Sequence, residues 1–307
     1  MKKVAIIGCG NIGYLFGKDR LRDYISNHID SYLAISNVKV VAICDSNEKL
    51  LNSCKKDKDI QYAYTDYKQL LREQELDIIS ICTPPQTHLD IIKEIVKYNV
   101  KAIYCEKPIS NDIDEAIEIN KLCKQKGIIL QINHQRRFCK YHKMVKEKYA
   151  ANAMTANAKF SRGILNSGTH MFDLLRYFFG DCIDTFAYES SGALNVILKF
   201  ERLNVNVEIL KDVDYGIFDI TLTTKDNIVH ITNYGNNIMI YSNKPSEQYS
   251  NMKEMKLSKV IKPNKKDLIV YGIQHLISCI ENNEESISSG EDALMALLII
   301  KDIEERK

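Results

Sequence analysis

The stretch Val4-Ala5-Ile6-Ile7-Gly8-Cys9-Gly10-Asn11-Ile12-Gly13 decides the fold. Four apolar residues typical of a buried strand lead straight into a G-x-G-x-x-G turn, and the residues after it predict a helix. Gly8 allows the tight turn, Gly10 lets the backbone approach a pyrophosphate, and Gly13 lets the helix pack closely on the strand. The helix N-terminus then faces the phosphates. We therefore expect a dinucleotide in contact with Gly8, Gly10, Asn11, Ile12 and Gly13.

Asp45 is the acidic partner expected for such a glycine turn, and it follows the second predicted strand, Lys39–Cys44. It comes 35 residues after Gly10, whereas about 20 is usual, so residues from about 18 to 36 must hold an insertion or a longer first helix. A carboxylate here binds the ribose hydroxyls of NAD and repels the additional phosphate of NADP, which favours NAD. The alternative for Asp45 is a surface turn residue, since D-S-N is ordinary turn chemistry.

The first 130 residues alternate short apolar strands with amphipathic helices. This order predicts a Rossmann domain, a doubly wound parallel sheet with helices on both faces, over residues 1–130. The predicted elements are the strands Val4–Ile7, Lys39–Cys44, Asp77–Cys82, Lys101–Cys105 and Ile128–Ile132, and the helices Tyr67–Glu73, His88–Tyr98 and Ile113–Lys126.

Residues 131–307 have a different pattern, with strands that follow one another without helices between them. Alternation at Val205, Val207 and Ile209 gives one wet face. This predicts a second α/β domain for substrate binding and oligomerisation, with an open, mainly antiparallel sheet running as a meander. A half-apolar sheet face favours a homodimer or homotetramer. The predicted elements are the strands Asn195–Phe200, Val205–Leu210, Phe218–Thr223 and Ile228–Thr232, and the helices Gly168–Phe179, Asp267–Glu281 and Glu291–Glu305.

Composition excludes several classes of function. The 42 Lys and Arg residues nearly balance 40 Asp and Glu residues, leaving a net charge of +2, which argues against a nucleic-acid binder. No apolar run reaches the roughly 18 residues of a membrane span. Nine cysteines without a C-x-x-C pair indicate reduced thiols in a cytoplasmic protein. Seven histidines without zinc-site spacing give no support for a metal site.

Three further segments make the chain resemble the Gfo/Idh/MocA oxidoreductase family over essentially its whole length. Cys105-Glu106-Lys107-Pro108 follows one predicted strand, and Thr83-Pro84-Pro85-Gln86-Thr87-His88 follows the strand before it. Gly163-Ile164-Leu165-Asn166-Ser167-Gly168-Thr169-His170 is similar to the D-x-G-x-H segment of the family. The resemblance implies hydride transfer between NAD and a carbinol or keto carbon of a sugar or nucleotide-linked sugar.

The resemblance also implies roles for individual residues. Thr83, Pro84, His88, Glu106 and Lys107 belong to the cofactor side, with His88 as a cofactor contact or a loop cap. Lys107 and His170 share the acid and base work, because alcohol oxidation removes a proton as well as a hydride. A helix N-terminus beside His170 disfavours the imidazolium.

Two positions leave more than one interpretation open. Asn166 stands where the family has Asp, and an amide orients a partner but carries no charge. This departure fits a subgroup of the family that is specialised for another sugar, and by analogy such a subgroup would act in cell-surface polysaccharide synthesis. Arg136 and Arg137 are either a bidentate clamp for a substrate anion or structural ion pairs.

Two other functions compete with a sugar dehydrogenase. The first is a cofactor-binding sugar sensor that turns nothing over, supported by Asn166 and opposed by the retained Lys107 and His170. The second is a reductase of an imine or a planar conjugated substrate, which would depend less on that lysine and histidine pair.

Overall fold

A computed structural model describes residues 1–263 and 267–306, which form two compact units. The first comprises Met1–Phe138 and a C-terminal segment that ends at Leu294. The second begins at Cys139 and takes up the chain again from Met295. The sequence places the boundary at residue 130. The first unit runs slightly further and regains a late helix, because that helix packs its apolar face into the first core.

The first unit contains a six-stranded, wholly parallel sheet in the order β3-β2-β1-β4-β5-β6. Order reversal between β1 and β4 creates the crevice at the carboxyl edge where such sheets bind ligands. The strands are β1 (Lys2–Ile7), β2 (Val38–Cys44), β3 (Tyr62–Tyr64), β4 (Ile78–Ile81), β5 (Ala102–Cys105) and β6 (Ile129–Ile132). The helices are α1 (His28–Leu33), α2 (Glu48–Lys58), α3 (Tyr67–Glu73), α4 (His88–Ile95), α5 (Ile113–Lys126) and α8 (Leu268–Asn282).

Local chemistry explains most of these helix boundaries. The side chains of Asn27, Asn47, Asp66 and Asp112 each accept a backbone N–H from the first turn that follows. Gly127 ends α5 in the left-handed conformation at φ +64°. The sequence analysis missed α2 and β3 because α2 has a polar surface and β3 has only three residues.

The extra length between Gly10 and Asp45 is an insertion spliced into the first helix of the fold. The backbone N–H of His28 donates to the carbonyl of Ile12 at 2.9 Å, and that of Ile29 donates to Gly13 at 3.2 Å. Each donor is sixteen residues beyond its acceptor, where a continuous α-helix has four. The helix therefore leaves its path after the glycine turn and resumes at α1 in the same register. The expectation of an insertion is confirmed.

The second unit contains an eight-stranded open sheet in the order β14-β13-β12-β11-β7-β10-β9-β8. Its strands are β7 (Thr155–Phe160), β8 (Cys182–Ser190), β9 (Ala193–Phe200), β10 (Asn204–Leu210), β11 (Phe218–Thr223), β12 (Asn227–Thr232), β13 (Asn237–Pro245) and β14 (Lys253–Ile261). Its helices are α6 (Lys140–Lys148) and α7 (Thr169–Phe179), and α9 (Gly290–Glu305) runs into it from the first unit. The predicted open, mainly antiparallel sheet is confirmed.

The predicted simple meander is wrong in one respect. Strand β7 lies between β10 and β11, and it pairs in parallel with β10. Its sequence, TANAKF, has two alanines and only one β-branched residue, Thr155, so its local strand signal is weak. Helix α7 covers the face of the sheet that carries Phe160 and Phe200. The ring of Phe172 contacts that of Phe160 at a centroid distance of 5.8 Å, and the ring of Phe179 contacts that of Phe200 at 5.6 Å.

None of the helices formed by residues 1–263 and 267–306 is both long and apolar enough to cross a membrane. Within the same part of the chain, His, Cys, Asp and Glu side chains form no group that could hold a metal ion. All nine cysteines are free thiols.

Candidate active site

The glycine turn joins β1 to the first helical turn and crosses the end of β4. Gly8 has φ +101°, and a Cβ there would lie 2.7 Å from the carbonyl carbon and oxygen of Cys82. A Cβ on Gly13 would collide with the carbonyl oxygen of Gly8. A Cβ on Gly10 would meet nothing within 4 Å. Gly8 and Gly13 are thus required by the protein itself, whereas Gly10 leaves open space that a pyrophosphate fits.

Asp45 is tied directly to this turn. Its Oδ2 accepts the backbone N–H of Cys9 at 2.7 Å, and its Oδ1 accepts that of Asn47 at 2.8 Å. The half-buried carboxylate therefore lies beside the glycine turn at the end of β2. The bond to Asn47 is the turn chemistry expected from D-S-N, and the bond to Cys9 holds the acid at the site expected for a ribose.

His88 joins the two loops that follow β4 and β5. Its Nδ1 lies 3.0 Å from the carbonyl oxygen of Ile109, and its Nε2 lies 2.9 Å from that of Thr83. The ring is fully buried, and this burial lowers the pKa of His88 although both carbonyl contacts favour its protonation. Of the two alternatives for His88, this geometry supports the loop cap.

Lys107 follows the end of β5, on the same carboxyl edge as the glycine turn. Its side chain is half-buried. Burial lowers the pKa of the Lys107 amine, the Glu106 carboxylate opposes this effect, and the nearby Arg136 guanidinium adds to it, so that the pKa lies below its ordinary value. A lysine with such a pKa exchanges protons more readily near neutral pH, as a base for an alcohol must.

Glu106 is buried and held by several donors. Its Oε1 is 2.9 Å from His28 Nε2 and accepts the Asn133 amide at 2.6 Å, while its Oε2 accepts the backbone N–H of Lys107 at 3.3 Å. Burial alone would raise the pKa of Glu106, but these hydrogen bonds and the positive charge of Lys107 lower it below its ordinary value. Sequence reasoning missed His28, because it lies in the unassigned insertion and no motif marks it.

Arg136 and Arg137 differ in their surroundings. Arg137 is buried; its Nη1 donates to the carbonyl of Ile287 at 2.8 Å, and its Nη2 pairs with Asp292 at 3.1 Å. Of the two alternatives, this is the structural ion pair, so the substrate-binding assignment of Arg137 is withdrawn. Arg136 is half-buried and close enough to Lys107 to affect its pKa.

Asn166 and His170 lie in the second unit, on one continuous helical segment. Gly163–Gly168 forms a π-helical turn that leads directly into α7, and the two residues are four positions apart on it. Spacing by four places them near one face. Asn166 is exposed and His170 is half-buried. The π-helical turn precedes His170, so the field of a free helix N-terminus that the sequence suggested does not act on its ring.

Comparison with known proteins agrees with this arrangement. Residues 2–134 match the family described as "Oxidoreductase family, NAD-binding Rossmann fold". The chain is 25% identical to the uncharacterized oxidoreductase YrbE of Bacillus subtilis, over 95% of this chain and 90% of that one. It is 24% identical to the myo-inositol 2-dehydrogenase of Thermotoga maritima, over 59% of this chain and 56% of that protein.

The fold also matches solved structures. The UDP-N-acetylglucosamine 3-dehydrogenase GnnA from Acidithiobacillus ferrooxidans superimposes with a TM-score of 0.78 at 16% identity, over 99% of this chain and 97% of that one. The glycine turn, the parallel sheet and the Glu106-Lys107-Pro108 segment thus agree with the family match. Residues 2–134, a little under half of the chain, match the Gfo/Idh/MocA oxidoreductase family through its NAD-binding Rossmann domain.

Proposed function

We propose that the chain is an NAD-dependent dehydrogenase that transfers a hydride between nicotinamide and a carbinol or keto carbon of a sugar or nucleotide-linked sugar. The observation that carries this proposal is Lys107. It follows β5 at the carboxyl edge of the sheet that also carries the glycine turn, and burial lowers the pKa of its amine. A sensor that only binds its ligand has no need of such a group.

The residues around the glycine turn fit a dinucleotide. We assign the pyrophosphate to the open space beside Gly10 and the ribose hydroxyls to Asp45, whose Oδ2 accepts the N–H of Cys9 beside this turn. When bound there, NAD supplies a carbon that accepts a hydride. Lys107 takes the hydroxyl proton as the carbinol is oxidised and returns it in the reverse direction. We assign His170 and Asn166 to the substrate, His170 as the partner in proton transfer and Asn166 as a neutral group that orients a hydroxyl.

NAD is preferred to NADP in this proposal. An additional phosphate on the ribose would face the Asp45 carboxylate, whose two oxygens are held by the N–H groups of Cys9 and Asn47. The negative charges of the phosphate and of the Asp45 carboxylate would repel each other there. Titration of the protein with each dinucleotide, followed by the fluorescence of the reduced cofactor, measures this preference.

The cofactor-binding sugar sensor remains the second candidate, because Asn166 replaces the acid of the family pattern. A role in surface polysaccharide synthesis, which this departure suggested, and a cytoplasmic location stay predictions. Native mass spectrometry and denaturing extraction of the purified protein, followed by a panel of polyols, sugars and sugar nucleotides, separate the two candidates. Reduction of bound NAD by a sugar supports the enzyme, whereas binding of a sugar without reduction supports the sensor.

Lys107 gives the sharpest test of the enzyme. We expect Lys107→Met to lower kcat by at least about a hundredfold, within the range for loss of a general base, with NAD binding retained. Lys101→Met is the matched control, because Lys101 stands at the other end of β5 and pairs with Asp77 at 2.7 Å. Equal activity of the two variants would contradict the assignment of Lys107 as base.

We also propose a homodimer or homotetramer formed through the sheet face that α7 does not cover. Phe186 pairs with Ile197 on this face and is 59% exposed, while Tyr188 is 49% exposed. Apolar side chains this exposed favour burial against a second subunit. Light scattering after size-exclusion chromatography is expected to show an oligomer that Phe186→Glu weakens; a monomer at high protein concentration would refute it.

A further inference from the structure

The buried histidine of the insertion, His28, faces the glutamate that precedes the proposed base. Its side chain has no exposed surface. Its Nδ1 lies 2.6 Å from Ser80 Oγ, and its Nε2 lies 2.9 Å from Glu106 Oε1. The ring reaches this position because the backbone of His28 bonds to Ile12 and resumes the interrupted helix there.

The surroundings of Glu106 favour a carboxylate over a carboxylic acid. Tyr104 donates its hydroxyl to Asn133 Oδ1 at 2.6 Å, which turns the amide nitrogen of Asn133 toward Glu106. Glu106 Oε1 therefore faces Asn133 and His28, and Oε2 accepts the backbone N–H of Lys107. A proton on Oε1 would have to displace one of its two partners.

Both ring nitrogens of His28 have a polar partner. Ser80 donates its hydroxyl either to the Tyr104 carbonyl, 3.4 Å away, or to Nδ1 of His28. When Ser80 donates to Nδ1, the ring proton lies on Nε2 and is directed at Glu106 Oε1. In that arrangement the contact between Nε2 and Glu106 is a hydrogen bond to the carboxylate.

We propose that His28 is a positioning residue for the base: it keeps the Glu106 carboxylate ionised and directed at the backbone of Lys107, and so controls the protonation of the Lys107 amine. This inference rests on the proposed function. Without His28, the buried Glu106 takes up a proton more readily. The ammonium form of Lys107 then loses the negative charge that opposes the effects of burial and of Arg136.

Few other groups can change charge around this pair. Burial raises the pKa values of the thiols and the phenol near Glu106 and lowers that of the nearby imidazole, so these groups stay neutral at neutral pH. The charges that act on each other there are those of Glu106 and Lys107, together with the permanent charge of Arg136. The neutral groups on the packed elements are Cys82 after β4, Tyr104 and Cys105 on β5, and His88 on α4.

The experiment measures the protonation of Lys107 without any substrate. Competitive labelling of amines in the full-length protein over a pH series, read by mass spectrometry of the Lys107 peptide, gives the fraction of neutral amine. We expect His28→Ala to raise this fraction about three- to tenfold at a pH below the Lys107 midpoint. Such an increase corresponds to a pKa of Lys107 that is lower by about a half to one pH unit, which is at or below the effect of losing a nearby opposite charge. His28→Gln, which keeps an N–H donor, is expected to restore part of the difference.

His275→Gln is the matched control. It removes a different histidine of the same unit, which is half-buried and whose Nε2 accepts the backbone N–H of Ile287 at 3.0 Å. We expect its Lys107 labelling to equal that of the wild type. If His28→Ala does not fold, His28→Gln is compared with the wild type in its place, and we expect a smaller increase in the labelling of Lys107. Unchanged labelling of a folded His28 variant would overturn the inference.

A second comparison tests whether His28 acts through Glu106. In a Glu106→Gln background the carboxylate charge is already absent, so His28→Gln should shift the labelling of Lys107 no further. An equal shift in both backgrounds would show that His28 acts by another route and would overturn the inference. Because labelling needs no turnover, a protein that shows the His28 effect but oxidises no sugar contradicts the proposed function alone.

Discussion

Two glycines of the same turn should respond to alanine in opposite ways. A methyl group at Gly13 would collide with the backbone oxygen of Gly8, which cannot move aside as the end of a flexible side chain could. A methyl group at Gly10 meets no protein atom within 4 Å. Neither glycine has a left-handed φ, so alanine can adopt the backbone at both positions.

The magnitudes follow from these contacts. Overpacking costs about 1–3 kcal/mol. The upper end of this range applies to Gly13, because a backbone oxygen moves aside less readily than a side chain does. Alanine recovers up to about 1 kcal/mol of helix propensity. We therefore expect Gly13→Ala to lower the free energy of unfolding by about 2 kcal/mol. Gly10→Ala should leave it within about 1 kcal/mol of the wild type but lower NAD affinity at least about tenfold, or 1.4 kcal/mol.

Urea unfolding of the protein without cofactor, with a separate NAD titration of each folded variant, distinguishes these effects. Wild-type stability for Gly13→Ala would show that the helix and strand are not packed as closely as the structure has them. Wild-type NAD affinity for Gly10→Ala would show that the open space beside Gly10 is not where the pyrophosphate lies.

Three further outcomes are expected. Asp45→Asn should weaken NAD binding and leave NADP binding equal or stronger, as fluorescence titration would show; a parallel loss of both would mean that Asp45 acts only on the turn. Arg137→Ala should lower the free energy of unfolding by about 3 kcal/mol, because it removes the guanidinium that pairs with the Asp292 carboxylate. The double variant Arg137→Met with Asp292→Leu should recover much of this loss; denaturant unfolding in which the double variant is the less stable would contradict the ion-pair account. Because the pKa of Glu106 is lowered in the folded protein, its contribution to stability is present above the pKa of the unfolded chain and is lost as the pH falls through the folded value. Glu106→Gln should therefore lose less stability than the wild type between neutral and acid pH, and equal slopes in acid unfolding would contradict this.

The sequence was sufficient for the parts of the fold that depend on local pattern. Helices α3 and α5 begin and end where predicted, because a side-chain cap and a change of hydrophobic period mark their limits. The glycine turn was readable because its G-x-G-x-x-G spacing directly follows a strand, and close backbone contacts explain the glycines at Gly8 and Gly13. Strand β7 was not, since its pairing with β10 depends on a distant segment and its alanines carry no local signal.

The candidate site shows the same division. Asp45 was predicted from its place directly after a strand, and Lys107 from the resemblance carried by Glu106-Lys107-Pro108; the roles of both stay predictions. His28 was not found, because its meeting with Glu106 brings together positions 78 residues apart and depends on where the insertion ends. The role of Arg137 was left open for a similar reason, since Asp292 reaches it from the far end of the chain.

The splice in the first helix makes that region modular. The chain departs after the glycine turn and returns to the carbonyls of Ile12 and Gly13, so the two ends of the excursion are adjacent in space. Removing Phe16–Asn27 would restore the four-residue spacing and leave the register of everything downstream unaltered. Loop length can therefore be gained or lost here without disturbing the sheet, which makes this helix a natural attachment point for engineered segments beside a nucleotide site.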